Sequence, residues 1–583
     1  MIKINDLSYS FPQKDLFNKI SFTLEEGQHS AFIGTSGSGK STLIQIIIDP
    51  EKYMFDGTIE LDQHCKIGYV SQFPKHDHTK KITVFEYIGE DYLTLRSELE
   101  SIGTAMETST EIDVLLEKYQ HALDAFNAIG GDDYESNINK KLNLANLSKI
   151  KDMSVSMISG GEFKLIQVIK EMLKQPDLMI MDEPDVFLDF ENLGALKNLI
   201  NAHKGVLLVV THNRYLLNHC FDKILHLENT ELQEFDGGYI EYNLTLLQKK
   251  IELQELAIAD DEEIERNDQM IHKLRLIASN NAEASRGKAL YARVKIQERL
   301  EARRIKAPFV DIKKPDIELT SAHDLRDTYA LKVSDYSISF DELLLENVSF
   351  EIGAGEKVAL IGSNGTGKTT LFRAIFKNNC DSIEINENAS VAYLSQVQGE
   401  MLCESNTVLE EFFDVGFKSS GEIRSHVARY GFNEDVLDRK IRTLSGGEKN
   451  ILQIAKISAQ KSDLLLLDEP TSHLDTYSQM ALEKAIENYT GAILMISHDY
   501  YTIANCMDYV LIIEDKTIRK MSIRKFRKMI YNSHFEKDYL ELEQKKKSIE
   551  TKIELALKET DFELAKVFAE ELEILVNLMQ KSN

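Results

Sequence analysis

Lys40 and Lys368 each close a run of the form Gly-x-x-x-x-Gly-Lys-Ser/Thr: Gly34 to Ser41 through Gly37 and Gly39, and Gly362 to Thr369 through Gly365 and Gly367. Glycine at these places lets backbone N–H groups wrap an anion. The lysine adds a point charge, and the following hydroxyl of Ser41 or Thr369 can ligate Mg2+, so each run suits the phosphates of a nucleoside triphosphate. Thr42 and Thr370 extend the runs. A glycine-rich turn without chemical consequence is a fair reading of one such run and a poor reading of two. Farther along, the apolar runs Leu178-Met-Ile-Met-Asp182 and Leu464-Leu-Leu-Leu-Asp468 each end on an aspartate followed by a glutamate, Glu183 or Glu469. An aspartate at a strand end can reach Mg2+, and the glutamate beside it can polarise an attacking water.

These residues belong to a duplication. Ser159-Gly160-Gly161-Glu162 and Ser445-Gly446-Gly447-Glu448, the two Asp-Glu pairs, and His212 and His498 all recur 286 residues apart, whereas Gln72 and Gln396 are 324 apart. The first copy therefore holds 38 extra residues between its glutamine and its Ser-Gly-Gly tetrad, and the Leu-, Glu- and Ala-rich stretch 86–147 is predicted to be a helical insertion. Solid apolar runs of strand length, alternating with helical segments, indicate strands covered on both faces of a mostly parallel sheet. Each half is thus expected to be an α/β domain.

The 583 residues suit about three folded units. No run is long and apolar enough to span a bilayer, and the N-terminus carries no export signal, which predicts a cytoplasmic protein. The five cysteines lack C-x-x-C spacing, which argues against a zinc site or a disulfide framework. A net charge of −27 disfavours nucleic acid except through a local basic patch. One such patch lies between the halves, in a stretch from Tyr239 to Lys306 with no proline, one glycine after Gly238 and helical apolar spacing. This reads as a helical hairpin with its tip near 279–287. Between Arg286 and Lys306 it carries eight basic residues, among them Arg286, Lys288, Arg293, Lys295 and Arg299, against two acids. A solvated helical face is the plainer reading of that run. After Phe535 the chain again lacks Pro and Gly, and Thr560-Asp561 is placed to cap a second helix, so a C-terminal helical hairpin is expected, for partner binding or for coiled-coil packing. The expected segments are α/β domain one over 1–240, the linker hairpin over 241–307, a connector over 308–330, α/β domain two over 331–525 and the helical extension over 526–583.

Taken together, the phosphate loops, glutamines, Ser-Gly-Gly tetrads, acid pairs and histidines resemble ATP-binding cassette (ABC) ATPases. Two P-loop cassettes, a long helical linker and Glu234-Phe-Asp-Gly-Gly-Tyr-Ile-Glu-Tyr242 ahead of it resemble the ABC-F family over nearly the whole chain. The resemblance implies an ATPase with two ATP and Mg2+ sites, paired head to tail within a monomer, so that Lys40 faces Ser445 to Glu448 and Lys368 faces Ser159 to Glu162. It implies catalysis by Glu183, Glu469, His212 and His498, Mg2+ held by Ser41, Gln72, Asp182, Thr369, Gln396 and Asp468, and adenine stacked on Phe11 and Phe340, which as single aromatics could equally be core. It further implies binding to the bacterial ribosome, at the E site of the 50S subunit with its 23S rRNA, the linker acting as a P-site tRNA interaction motif. The first half has Glu183-Pro-Asp-Val-Phe-Leu-Asp189, with Asp185 and Phe187 where Thr and His are usual, whereas the second keeps Glu469-Pro-Thr-Ser-His-Leu-Asp475. That departure looks more like the antibiotic-resistance (Lsa/Vga-type) branch, acting against lincosamide, pleuromutilin and streptogramin A drugs, than like housekeeping translation factors. An exporter ATPase subunit is the alternative from another class.

Overall fold

The computed structural model describes residues 2–11, 14–62, 65–72, 81–108, 112–186, 188–280, 291–297, 299, 315–323, 329–340, 343–534 and 539–581. The chain forms two compact units: residues 1–238 with 313–530, and residues 239–312 with 531–583. Both α/β halves fall in the first unit, and the linker shares the second with the C-terminal extension.

In the first half a six-stranded sheet runs in the order Ile67–Val70, Leu178–Asp182, Val206–Val210, His29–Ile33, Lys223–Glu228 and Glu231–Asp236. All neighbours are parallel except the last pair. Leu178–Asp182 and Val206–Val210 are buried at every position, as strands covered on both faces must be. The second half repeats this order with Val391–Leu394, Leu464–Asp468, Ala492–Ile496, Lys357–Ile361, Tyr509–Glu514 and Thr517–Ser522. A three-stranded antiparallel sheet accompanies each: Lys14–Leu24, Ile2–Phe11 and Asp56–Leu61 in the first half, and Leu343–Gly353, Tyr329–Ser339 and Ile383–Ile385 in the second. Phe17, Phe22 and Phe32 in one half, and Phe372 in the other, sit in the cores between the sheets.

The extra length of the first half is helical: Glu90–Thr108, Ile112–Ala128 and Gly131–Leu144, with Tyr92 stacked on Tyr134 at 5.1 Å. The connector is tied to the second half by Asp463. Its carboxylate accepts from the N–H groups of Ala322 and His323 at 2.9 and 2.7 Å, from His323 Nδ1 at 2.9 Å, and from Ser390.

In the second unit, helix Tyr239–Asn280 has 42 residues, or roughly 63 Å at 1.5 Å per residue. The returning helical segment 291–297 meets it at buried Asn267, whose amide donates to Gln297 Oε1 at 2.7 Å and to the Arg293 carbonyl at 3.2 Å. Helices Tyr539–Lys558 and Phe562–Lys581 form the expected C-terminal pair, and Asp561 caps the second by accepting from Leu564 N at 3.0 Å. Phe562–Lys581 packs on the root of the linker helix through the Lys566–Glu255 ion pair at 2.8 Å and the Gln248–Glu573 hydrogen bond at 3.3 Å. No helix among the described residues is long and apolar enough to cross a membrane.

Candidate functional site

Each phosphate loop joins a central strand to a helix: His29–Ile33 to Lys40–Ile48, and Lys357–Ile361 to Lys368–Lys377. At Gly34, φ is +154° and a Cβ would lie 2.2 Å from the Leu227 carbonyl oxygen, so the close approach of two backbones demands glycine. Gly37, Gly39, Gly365 and Gly367 all have positive φ. Thr35 steadies the first loop by donating its N–H and hydroxyl to Glu228 at 3.2 and 3.0 Å. Lys40 is held by the carbonyls of Gly34 and Thr35 at 2.8 and 3.0 Å, and Lys368 by those of Gly362 and Ser363 at 2.7 and 2.8 Å. Burial lowers the pKa of both lysines, opposed by Glu183 for Lys40 and Glu469 for Lys368.

The halves face each other head to tail. Ser36, in the first phosphate loop, places Oγ 3.5 Å from Ser445 Oγ and donates its N–H to Asp475 at 3.3 Å. In the reciprocal site Asn364 N donates to Asp189 at 3.3 Å, and a cavity of about 520 Å3 lies between Ser159–Gly161 and the group Lys368, Thr369 and Glu469. Both tetrads open helices, Gly160–Leu173 and Gly446–Gln460, whose N-terminal N–H groups and dipoles favour an anion. Glu162 and Glu448 are engaged in these caps, accepting from the N–H and hydroxyl of Ser159 and Ser445 at 2.7–2.8 Å. Their carboxylates thus shape the tetrads from within.

Behind each lysine stand the acids. Glu183 and Glu469 adopt φ of +44° and +51°, left-handed backbone that non-glycine residues rarely hold without surrounding constraint. Asp182 Oδ1 and both carboxylate oxygens of Asp468 are buried with no hydrogen-bond partner among the described residues. Burial raises both aspartates to about 6. These buried carboxylates, with the hydroxyls of Ser41 and Thr369 beside them, offer oxygen donors that fit a hard divalent cation such as Mg2+.

The two glutamates differ. Glu183 accepts from the Gln72 amide at 2.5 Å and from His473 Nδ1 at 3.2 Å, and His473 belongs to the other half. Burial pushes Glu183 up, but the His473 hydrogen bond and the charge of Lys40 bring it to about 2. Glu469 has His498 Nε2 at 3.5 Å, and burial with the neighbouring Asp468 raises it to about 8. The position equivalent to His473 in the first half is Phe187, which lies outside the described residues. His212 and His498 are buried and held neutral, burial and the nearby lysine lowering them to about 4 and 3.

Phe11 and Phe340 are exposed, 47% and 69%, so neither ring is core. Of the expected RNA-contacting residues, Arg286 and Lys288 lie outside the described residues. Lys295 and Arg299 are exposed, while Arg293 donates to Asn267 Oδ1 at 3.3 Å and so belongs in part to the hairpin itself. Sequence reasoning missed His473 as a site residue, although it stands in the second acid loop. It also missed Arg214, which lies two residues after His212 and reaches Glu483 and Asp499 of the other half, the latter at 3.0 Å.

The ABC transporter family model matches residues 17–186 and 345–472. Among curated proteins, the chain is 31% identical to YdiF of Bacillus subtilis (strain 168) over 529 residues, 88% of this chain and 79% of that protein. It is 28% identical to ABC transporter F family member 5 of Arabidopsis thaliana, over 95% of this chain and 79% of that protein. The energy-dependent translational throttle protein EttA of Escherichia coli (strain K12) is 28% identical over 87% of this chain and 90% of its own length. Among solved structures, the archaeal ribosome recycling factor aABCE1, in complex with the ribosomal stalk protein aP1, gives a TM-score of 0.52 at 19% identity, covering 91% of this chain and 92% of that one, a likeness of fold. With two phosphate loops each facing the other half's Ser-Gly-Gly helix, the chain belongs to the ABC transporter family, has relatives of the ABC-F type, and is an ATPase.

Proposed function

We propose that this is an ABC-F ATPase that clamps two ATP molecules between its halves and acts on the bacterial ribosome. The observation that carries the reading is the pairing of each phosphate loop with its sibling's tetrad in a chain that also holds a 42-residue linker helix. In each site the loop glycines, the lysine and Thr42 or Thr370 bind the triphosphate, and the opposite tetrad covers it. Ser41, Asp182 and Gln72, and Thr369, Asp468 and Gln396, hold Mg2+, which when bound neutralises charge on the β and γ phosphates. Glu183 and Glu469 orient the attacking water, and His212 and His498 hydrogen-bond the γ phosphate. Phe11 and Phe340 supply exposed rings for adenine.

EttA's name describes a translational throttle, and this supports a role in translation for a chain of the same span. In our reading the closed protein enters the E site of the 50S subunit against 23S rRNA, in the cytoplasm. Its hairpin tip, with Arg286, Lys288, Lys295 and Arg299, is pushed toward P-site tRNA, and hydrolysis releases it. The departure of the first acid loop, Asp185 and Phe187 in place of Thr and His, supports the resistance branch: displacing tRNA and drug from the peptidyl-transferase centre. The chain carrying Glu183→Gln with Glu469→Gln should co-sediment with ribosomes in ATP and not in ADP. Equal sedimentation in both nucleotides, or none in either, would remove the proposal. Loss of the gene should sensitise cells to lincosamides without slowing drug-free growth; the reverse pattern assigns a housekeeping role.

A further inference from the structure

The second half ends in a basic surface. Residues 517–528 carry six basic side chains and no acid in a protein of net charge −27. Strand Thr517–Ser522, the outer edge of its sheet, exposes Arg519 and Lys520, the latter with its ammonium 3.5 Å over the Tyr509 ring, and helix Ile523–His534 exposes Arg524, Lys525 and Lys528. The nearest acids in sequence are Glu514, 3.9 Å from Arg519, and Asp515.

Edge strands are often charged to prevent pairing with another chain, and for that purpose either sign serves. The equivalent edge of the first half, Glu231–Asp236, carries three acids and no base. Edge protection therefore explains neither the reversal of sign nor its continuation onto a helix that has no open edge.

The apolar side of this element is largely committed, with Met529 left exposed. Phe526 is fully buried, stacked on Tyr500 at 6.2 Å and edge-on to Phe190 at 6.3 Å, Met521 is buried, and Arg527 donates to the Ala504 carbonyl. A helix that binds a bilayer needs an apolar face to insert, whereas a phosphate backbone needs only outward cations. We infer that Arg519, Lys520, Arg524, Lys525 and Lys528 form a docking surface for the phosphate backbone of RNA. This deepens the ribosomal reading, on which its biological setting rests, by naming a contact surface outside the linker.

The test is fluorescence anisotropy of a labelled single-stranded RNA with the full chain and with the variant Arg519→Gln, Arg524→Gln, Lys525→Gln, Lys528→Gln. The variant should bind at least about tenfold more weakly at low salt, and the slope of log affinity against log salt should fall by about 3, near 0.7 for each lost phosphate contact. Replacing Arg519 and Arg524 with lysine should preserve binding, which separates charge from folding. Unchanged affinity and slope in the glutamine variant, or binding to phosphatidylglycerol vesicles without binding to RNA, overturns the inference. Ribosome sedimentation separates the two readings. If the wild-type chain sediments with ribosomes while the glutamine variant binds RNA normally, this inference falls and the ribosomal one stands. If RNA binding needs the patch but no form sediments with ribosomes, this inference stands alone.

Discussion

At Glu183 the two halves of the chain meet on one carboxylate: Gln72 comes from its own half and His473 from the other. Each hydrogen bond fixes where the carboxylate points, so His473 is expected to act as a positioning residue for water attack in the first site. In a Glu469→Gln background, where the first site carries the turnover, His473→Ala should lower the turnover of ATP about tenfold, which corresponds to roughly 1.4 kcal/mol, and leave KM for ATP little changed. Phosphate-release kinetics measure both; a kcat within twofold of that background would show that Gln72 suffices. Most of the residues that face each other in the site were legible in the sequence because motif spacing recurs between the halves. His473 was not, since a duplicated pattern draws attention to positions that match, and this one is Phe187 in the other half. The inward turn of Glu162 and Glu448 was also hidden, because a capping box and a ligand contact use the same residue types.

At the level of elements, solid apolar runs identified the parallel strands, and their acidic ends located the site. The linker helix begins at Tyr239, slightly before the run of regular spacing, because Tyr239 and Tyr242 stack at 5.8 Å within its first turn. What the pattern did not reveal is how the connector is anchored. Asp463 is a single carboxylate at the start of a strand, and the five donors that meet it come from segments about 70 and 140 residues away. Burial would raise its pKa, but the Ser390 N–H and hydroxyl and His323 bring it to about 2. Against about 3.9 for an unfolded chain, this contributes roughly 2–3 kcal/mol of stability, fully present above about pH 5 and lost as pH falls through 4 toward 2. Asp463→Asn should therefore be less stable than wild type by about that amount at pH 7, with the gap roughly halved near pH 3. Urea unfolding followed by circular dichroism at both pH values checks this, and a gap independent of pH would assign the effect to packing.

On the scale of the molecule, the pairing of the halves is less symmetric than the duplication. Arg214 inserts between Glu483 and Asp499 and lies 4.8 Å over the Tyr501 ring, yet its counterpart is Tyr500 and the counterpart of Glu483 is Lys197. One side of the contact thus carries a largely buried ion triad that the counterpart residues Tyr500 and Lys197 cannot form, and only the fold brings its members together. Arg214→Met should destabilise the paired halves by about 3 kcal/mol or more, because it leaves two carboxylates without their cation. A loss below about 1 kcal/mol in chemical denaturation would mean that solvent screens the triad.

The clasp between Gln248 and Glu573 joins positions 325 residues apart. At about 5–20 residues per second of synthesis, roughly 16–65 seconds separate the appearance of the two partners. During that interval buried Ile251, at the root of the long helix, has no C-terminal helix to shelter it. The root of the linker helix is thus completed only when the last segment of the chain has been made.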